Sequence, residues 1–173
     1  MASSKPTPPK DPFAVALAML AARACSVAEL KQKLRARSFA AAAIDETVAR
    51  LKELGFLDDR KLAEEYASSL VRNRALGRFR VERELRARRV DPRAVEPAVE
   101  GAFRETDERA VLEAALDKKI RTLRLPLTRP RLYGLCASLR RRGFRSSDII
   151  KAVRARPELA PVAEEADLES LEE

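Results

Sequence analysis

Residues 29–48 read "ELKQKLRARSFAAAAIDETV", and two later stretches align with them: "RVERELRARRVDPRAVEPAV" at 80–99 and "GLCASLRRRGFRSSDIIKAV" at 134–153. Leu34, Leu85 and Leu139 serve as anchors. Four residues upstream stand Leu30, Val81 and Leu135, and five downstream stand Phe39, Val90 and Phe144. Ten downstream stand Ile44, Val95 and Ile149, and fourteen downstream Val48, Val99 and Val153. Self-similarity at a fixed period of this length marks a repeat array, in which each unit buries its apolar face against its neighbours.

Each copy reads as three helices. In the first copy Leu17, Leu20 and Ala24 make one apolar stripe, Leu30 and Leu34 a second, and Ile44, Val48 and Leu51 a third. All have the three- or four-residue spacing of a helix with one buried face. Start signals agree: "SVAE" at 26–29 is a capping box, Thr128 stands at the head of the middle helix of copy three, and "DP" at 91–92 places an acid at an N-cap and proline at the first helical position. Pro97 falls inside the last helix of copy two, where it should kink or shorten it. Composition points the same way. Ala, Leu, Arg and Glu dominate, glycine numbers 5, aromatics are 5%, and alternating β-branched runs are absent. The expectation is an all-α chain of about nine helices. It divides into a tail at 1–12, units at 13–57, 58–104 and 105–156, and an acidic C-terminal tail at 157–173.

The stretch "LKELGFLDDRKLAEEY" at 51–66 raises a different question, because Asp58 and Asp59 are adjacent acids. A catalytic pair would need a cleft and a third partner. The pattern reads instead as punctuation. Gly55 ends one helix, Phe56 and Leu57 turn into the core, and the two aspartates open the next helix, whose orphan N–H groups and positive dipole end favour carboxylates. Leu62, Tyr66 and Leu70 continue as its buried stripe. The chain has no histidine, no P-loop and no "GxGxxG". Cys25 and Cys136 lack the close spacing of metal ligands and read as buried free thiols, although sequence alone leaves a disulfide open. No enzyme activity, metal or cofactor is expected. The longest apolar run, "FAVALAMLAA", is too short to span a bilayer, and no signal peptide shows, so the expectation is a cytoplasmic protein without membrane association.

Charge is unevenly placed. The formal net charge is +8, but the last 17 residues hold seven acids and no base, so the body before them carries +15. Such a body favours a polyanionic partner. The middle helix of each copy is the basic one. Copy one supplies Lys31, Lys33, Arg35 and Arg37; copy two supplies Arg78, Arg80, Arg83, Arg86, Arg88 and Arg89; copy three supplies Arg129, Arg131, Arg140, Arg141, Arg142 and Arg145. Guanidinium groups suit bidentate contacts with phosphates or carboxylates. The alternative is a solvated face, balanced in copy two by Glu82 and Glu84; residues 129–145 contain no acid. Phe79 with Tyr133, and Phe39 with Phe144, recur in phase with the apolar stripes and read as core rather than as platforms for bases.

Three features in order carry a resemblance: "LKELGFLDD" at 51–59, the following Ala63 with Tyr66 or Ala67, and "GRFRVEREL" at 77–85. With "LRRRGFRSSDI" at 139–149 they resemble the RecX family of recombinase regulators over about residues 14–155. Arg78 stands where the family usually has proline, and Leu62 where it usually has an aromatic. The resemblance implies tandem three-helix repeats forming an elongated, curved rod. It implies a modulator, usually an inhibitor, of the RecA filament on single-stranded DNA, seated in the filament groove or at its growing end. The implied partners are the RecA filament and single-stranded DNA, with double-stranded DNA as a further partner, and the chain is expected to be monomeric. The competing reading is a stand-alone DNA-binding protein with helix-turn-helix-like units.

Overall fold

The computed structural model describes residues 11–124 and 126–168; the expected tail at 1–12 lies almost wholly outside them. Among the described residues there are ten α-helices and no strand. The first unit comprises α1 (Pro12–Ala22), α2 (Val27–Arg35) and α3 (Ala41–Glu53). The second comprises α4 (Asp59–Arg74), α5 (Arg78–Ala87) and α6 (Pro92–Arg104), and the third α7 (Glu108–Ile120), α8 (Arg129–Arg141) and α9 (Ser146–Arg154). A tenth helix, α10 (Ala160–Glu165), packs on α8 and α9. The units follow one another as a helical repeat rod. Among the described residues no helix is long and apolar enough to cross a membrane.

The repeat positions form the core. Leu34, Leu85 and Leu139 are all fully buried, as are Leu30, Val81 and Val153, and the remaining aligned positions are buried except Phe39, which packs half-exposed on its cluster. The apolar core is divided: unit 1 has its own cluster, whereas units 2 and 3 share one.

Several expectations are corrected. Ala24 lies beyond the end of α1 and is exposed, and Ala16 is that helix's buried centre. The run from Phe13 to Ala22 is apolar on every side, so its periodicity selects no face. Phe56 points to solvent at 57% exposure while Leu57 is buried. Thr128 stands at the N-cap of α8 but makes no side-chain capping bond. Pro97 does not shorten α6, which runs on to Arg104; it lies on the exposed side, where water can serve the carbonyl deprived of a donor. The acidic C-terminal segment is not simply a tail: Leu159, Ala163, Ala166 and Leu168 are buried against unit 3. Its apolar residues recur at helical spacing beneath the acids, and that burial outweighs the charge pattern from which a tail is read.

The units are latched by a device that recurs. Asp58 is the N-cap of α4, its Oδ1 accepting from the N–H groups of Arg60 (2.8 Å) and Lys61 (3.1 Å). Asp59 serves other helices: Oδ1 accepts from Val27 N at 2.8 Å, at the start of α2, and Oδ2 accepts from Asp91 N at 2.9 Å, at the head of α6. At the next junction Asp107 caps α7, and Glu108 behind it accepts from Arg78 N, the first residue of α5, at 3.0 Å. Val27 and Arg78 are equivalent repeat positions, as are Arg88 and Arg142. Arg88 donates to Ala24 O (2.6 Å) and pairs with Glu29 (3.1 Å); Arg142 donates to Arg74 O (2.8 Å) and to Ala75 O (3.4 Å), and Ala75 is the repeat equivalent of Ala24. Ser26 Oγ completes the first junction by donating to Arg88 O at 2.7 Å.

The second junction brings backbones together. Gly77 N donates to Arg142 O at 2.8 Å and Phe79 N donates to Gly143 O at 3.3 Å. A Cβ on Gly77 would lie 2.5 Å from Gly143 O, and one on Gly143 would lie 2.2 Å from Arg80 N. Gly143 also has φ +92, in the region that favours glycine. At the free end of unit 3, Arg129 pairs with Glu165 (3.2 Å), and Tyr133 Oη donates to Asp167 O (3.2 Å). These are the repeat equivalents of Ala75 and Phe79, which in unit 2 meet the following unit. The C-terminal segment therefore covers the face of unit 3 that is equivalent to the one by which unit 2 receives the following unit.

Two outcomes follow from this geometry. Asp59→Ala is expected to lower unfolding free energy by about 1–3 kcal/mol, more than Asp58→Ala, because it strips two other helices of a capping acceptor while Asp58 serves one; urea denaturation of the two single variants decides the order. Gly143→Ala is expected to cost roughly 2–4 kcal/mol through its positive φ and the clash with the α5 backbone, read as a drop in melting temperature that Gly134→Ala, on an open helix surface, does not share.

Candidate nucleic-acid and filament interface

The basic residues anticipated from sequence fall into two groups once their surroundings are known. One group is occupied within the chain. Arg88 is buried at 8% exposure, its guanidinium between Glu29, Ala24 O and the Tyr66 ring at 4.9 Å. Placing it on a contacting face is corrected: the side chain turns inward because unit 1 offers a carboxylate and a bare carbonyl. Arg142 is likewise committed to the helix end of unit 2. Arg78 lies near Glu108 (3.6 Å) and over the Phe103 ring, Arg80 pairs with Glu84 (2.6 Å), Arg86 pairs with Glu82, and Lys31 with Asp45 (2.7 Å). The Lys31 hydrogen bond and its charge hold the Asp45 carboxyl below the usual carboxylate range. Arg89 donates to Gln32 Oε1 at 2.6 Å, and Arg129 is held by Glu165.

The other group faces solvent: Lys33, Arg35, Arg37, Arg83, Arg131, Arg141 and Arg145; Arg140 is exposed as well but is engaged within the chain. Arg83 lies opposite the buried Val81–Leu85 stripe of α5, as the helical spacing predicts. Arg37 approaches Met19 Sδ at 3.4 Å, and the Arg145 guanidinium lies 5.8 Å from the Phe79 ring centroid.

Phe79 departs from its expected place in the core: it is 54% exposed at the first turn of α5, whereas Tyr133 is half-buried and Phe144 is buried. An open groove of about 530 Å³ lies beside it, lined by Phe79, Arg140, Gly143, Phe144, Arg145 and the Ser146–Ser147 pair. None of the described residues that line it is a carboxylate. The larger clefts elsewhere are of mixed charge: one near 860 Å³ carries Glu82, Glu96 and Glu100 beside its arginines, and one near 930 Å³ carries Asp58, Asp59 and Asp91. Exposure of Phe79 has no signature in a sequence pattern, since its phase matches that of a core position.

Both cysteines are buried and unpaired. Burial raises the Cys25 thiol and pushes that of Cys136 up to about 11, leaving protonated and unreactive sulfurs at neutral pH. Among the described residues no cluster of His, Cys, Asp and Glu could hold a metal ion.

The division among the arginines makes a direct comparison. Arg142→Ala is expected to lower stability by roughly 1–3 kcal/mol through loss of charged hydrogen bonds across the second junction, whereas Arg141→Ala, one residue away and exposed, stays within about 0.5 kcal/mol of wild type. Paired thermal melts check this.

Comparison with known proteins supports the same architecture. Residues 13–51 match the model of the RecX first three-helix domain and residues 58–99 that of the RecX second three-helix domain. "Regulatory protein RecX" of Chlorobaculum tepidum is 33% identical over 62% of this chain and 65% of that protein. The protein of the same name from Pelodictyon phaeoclathratiforme is 32% identical over 80% of this chain and 84% of its own length. The crystal structure of RecX from Lactobacillus salivarius superposes with a TM-score of 0.68 at 18% identity, covering 83% of this chain and 92% of that one, a likeness of fold. With its three latched three-helix units and its identity to these relatives, the chain belongs to the RecX family of regulatory proteins.

Proposed function

We propose that this protein regulates the RecA recombinase, as an inhibitor, by lying along the RecA–single-stranded DNA filament in its groove or at its growing end. It limits strand exchange, ATP hydrolysis and coprotease action, and so acts in DNA repair and the SOS response in the cytoplasm, as a monomer. The observation that supports this reading is the distribution of solvent-facing cations over all three units, Lys33 and Arg35 in α2, Arg83 in α5, Arg131 and Arg141 in α8. A rod charged at intervals spans several protomers of a filament, and each contact is electrostatic and reversible.

The test is recombinase ATPase turnover on single-stranded DNA with the full chain added below stoichiometry. Loss of turnover at that ratio is the expected result. Loss only when the chain saturates free DNA would favour a stand-alone DNA-binding protein, and unchanged turnover at saturation would refute both. The double variant Arg83→Gln/Arg141→Gln is expected to remain folded and to inhibit several-fold more weakly. Where these side chains meet phosphates, the log–log salt dependence of single-strand binding flattens by about 0.7 per contact.

A further inference from the structure

We propose that the loop Arg37–Ala40 of unit 1 grips the carbonyl end of a helix in the recombinase, with Arg37 donating to the bare carbonyls and Phe39 packing beside them. This inference rests on the filament reading above and names a part of the chain that meets protein rather than nucleic acid.

The two junctions inside the chain show what such a loop does. The pattern Leu-Arg-x-Arg occurs three times, at 34–37, 85–88 and 139–142. In units 2 and 3 the segment that begins at its last arginine lies against the preceding unit. Arg88 donates to Ala24 O and Arg142 to Arg74 O, at or just past the end of a helix. Val90 lines a cleft together with Val27 and Ala28 of unit 1. A Cβ on Gly77 would lie 2.7 Å from the Phe144 ring, so that ring is covered by the unit before it.

Among the described residues no unit stands before unit 1, and there the same loop is open. Arg37 is exposed, whereas Arg88 is buried and Arg142 half-buried. Phe39 is half-exposed, whereas Val90 and Phe144 are buried, and it is the one aligned apolar position of the repeat that is not covered. Ser38 (φ +64), Arg89 (φ +51) and Gly143 (φ +92) are equivalent, so the backbone turns out of all three helices through the left-handed region. Arg37 lies against Met19 Sδ at 3.4 Å, a weak acceptor. A contact of that kind does not withdraw the side chain: Arg88 lies 4.9 Å from the Tyr66 ring of its own unit and still donates to Ala24 O and Glu29.

Charge and shape together select the occupant. The last carbonyls of a helix lack intrahelical donors and carry partial negative charge, and a guanidinium with five N–H groups can serve several of them. α1, on which Arg37 rests, contains no acid from Pro12 to Ala22, so that helix offers the guanidinium no competing carboxylate. A phosphate would use the cation alone; the uncovered Phe39 next to it calls for apolar contact as well, as Phe144 receives at Gly77.

Full-length Ser38→Cys accepts a benzophenone maleimide on this loop, because the buried Cys25 and Cys136 thiols stay protonated at neutral pH. Illuminated on the recombinase filament, the label is expected to join the recombinase within the last turn of a helix, as mass spectrometry locates it. Arg37→Gln is expected to bind the filament about 10-fold more weakly, the low end for a lost hydrogen bond to a charged group. Its melting temperature and its salt dependence on single-stranded DNA alone are expected to match wild type. The assignment is overturned if the label joins a second copy, residues 1–10 of its own chain, DNA, a recombinase surface away from any helix end, or nothing. It is equally overturned if Arg37→Gln binds the filament like wild type. A lower melting temperature would overturn it by placing the side chain inside the fold, and a salt dependence flatter by about 0.7 would do so by placing a phosphate on it. A label joined to a helix end without any loss of recombinase turnover would refute the inhibitor reading and leave the docking loop standing.

Discussion

At the N-terminus of a helix the leading N–H groups lack intrahelical partners. In this chain the first such group of α2 and of α5 is served by a carboxylate belonging to the following unit, Asp59 for Val27 and Glu108 for Arg78. Each carboxylate directly follows the aspartate that caps its own helix. A two-residue acidic pair therefore does two tasks: the first acid starts a unit, and the second fixes that unit to the one before it. The arginines three residues after Leu85 and Leu139 close the other side, since Arg88 and Arg142 donate to carbonyls at or just past the end of the preceding unit's first helix. With donor and acceptor contributed in both directions, the angle between units is set by directional bonds as well as by apolar contact.

The two junctions use this latch differently. Between units 1 and 2 the apolar clusters are separate, and the contact is made by Ser26, Glu29, Asp59, Arg88 and Arg89. Between units 2 and 3 the cluster is continuous, and Gly77 and Gly143 let two backbones meet without side chains between them. That close approach leaves Phe79 at the rim rather than beneath it. The groove at this junction is a product of how closely the units pack.

A chain with 35 lysines and arginines suggests a broad cationic surface, yet much of that charge is internal wiring. Arg88 and Arg142 hold units together, and Arg78, Arg80, Arg86 and Arg129 pair with glutamates. The charge left for a partner is carried by a smaller set, which includes Arg83, Arg131 and Arg141. The acidic C-terminal segment contributes to the same sorting: α10 covers the end of unit 3 and takes Arg129 into an ion pair.

The repeat, the helical class and the resemblance to the family were all legible in the residues, because apolar spacing and helix-boundary chemistry are local and survive in one dimension. Leu30, Leu34, Leu85 and Leu139 lie where their periodicity places them. So do the Ser26 capping box and the positive-φ glycine at position 55. Other features depended on contacts between residues far apart in sequence. Nothing near Asp59 indicates that it bonds Val27 rather than its own helix, and nothing near Arg88 tells it from the exposed Arg86. Phe79 has the phase of a core residue and stands in water. The apolar run of α1 carries no polar face by which to orient it, and the buried leucines of the C-terminal segment are masked by its acids. Sequence by itself determined which segments are helices and which faces are apolar, since both follow from backbone geometry and side-chain spacing within one turn. The packing of one unit on the next decided which charges are spent on the fold and which remain for a partner, because an ion pair across 59 residues of chain, or a guanidinium–carbonyl hydrogen bond across 68, exists only once the tertiary structure has brought its two ends together.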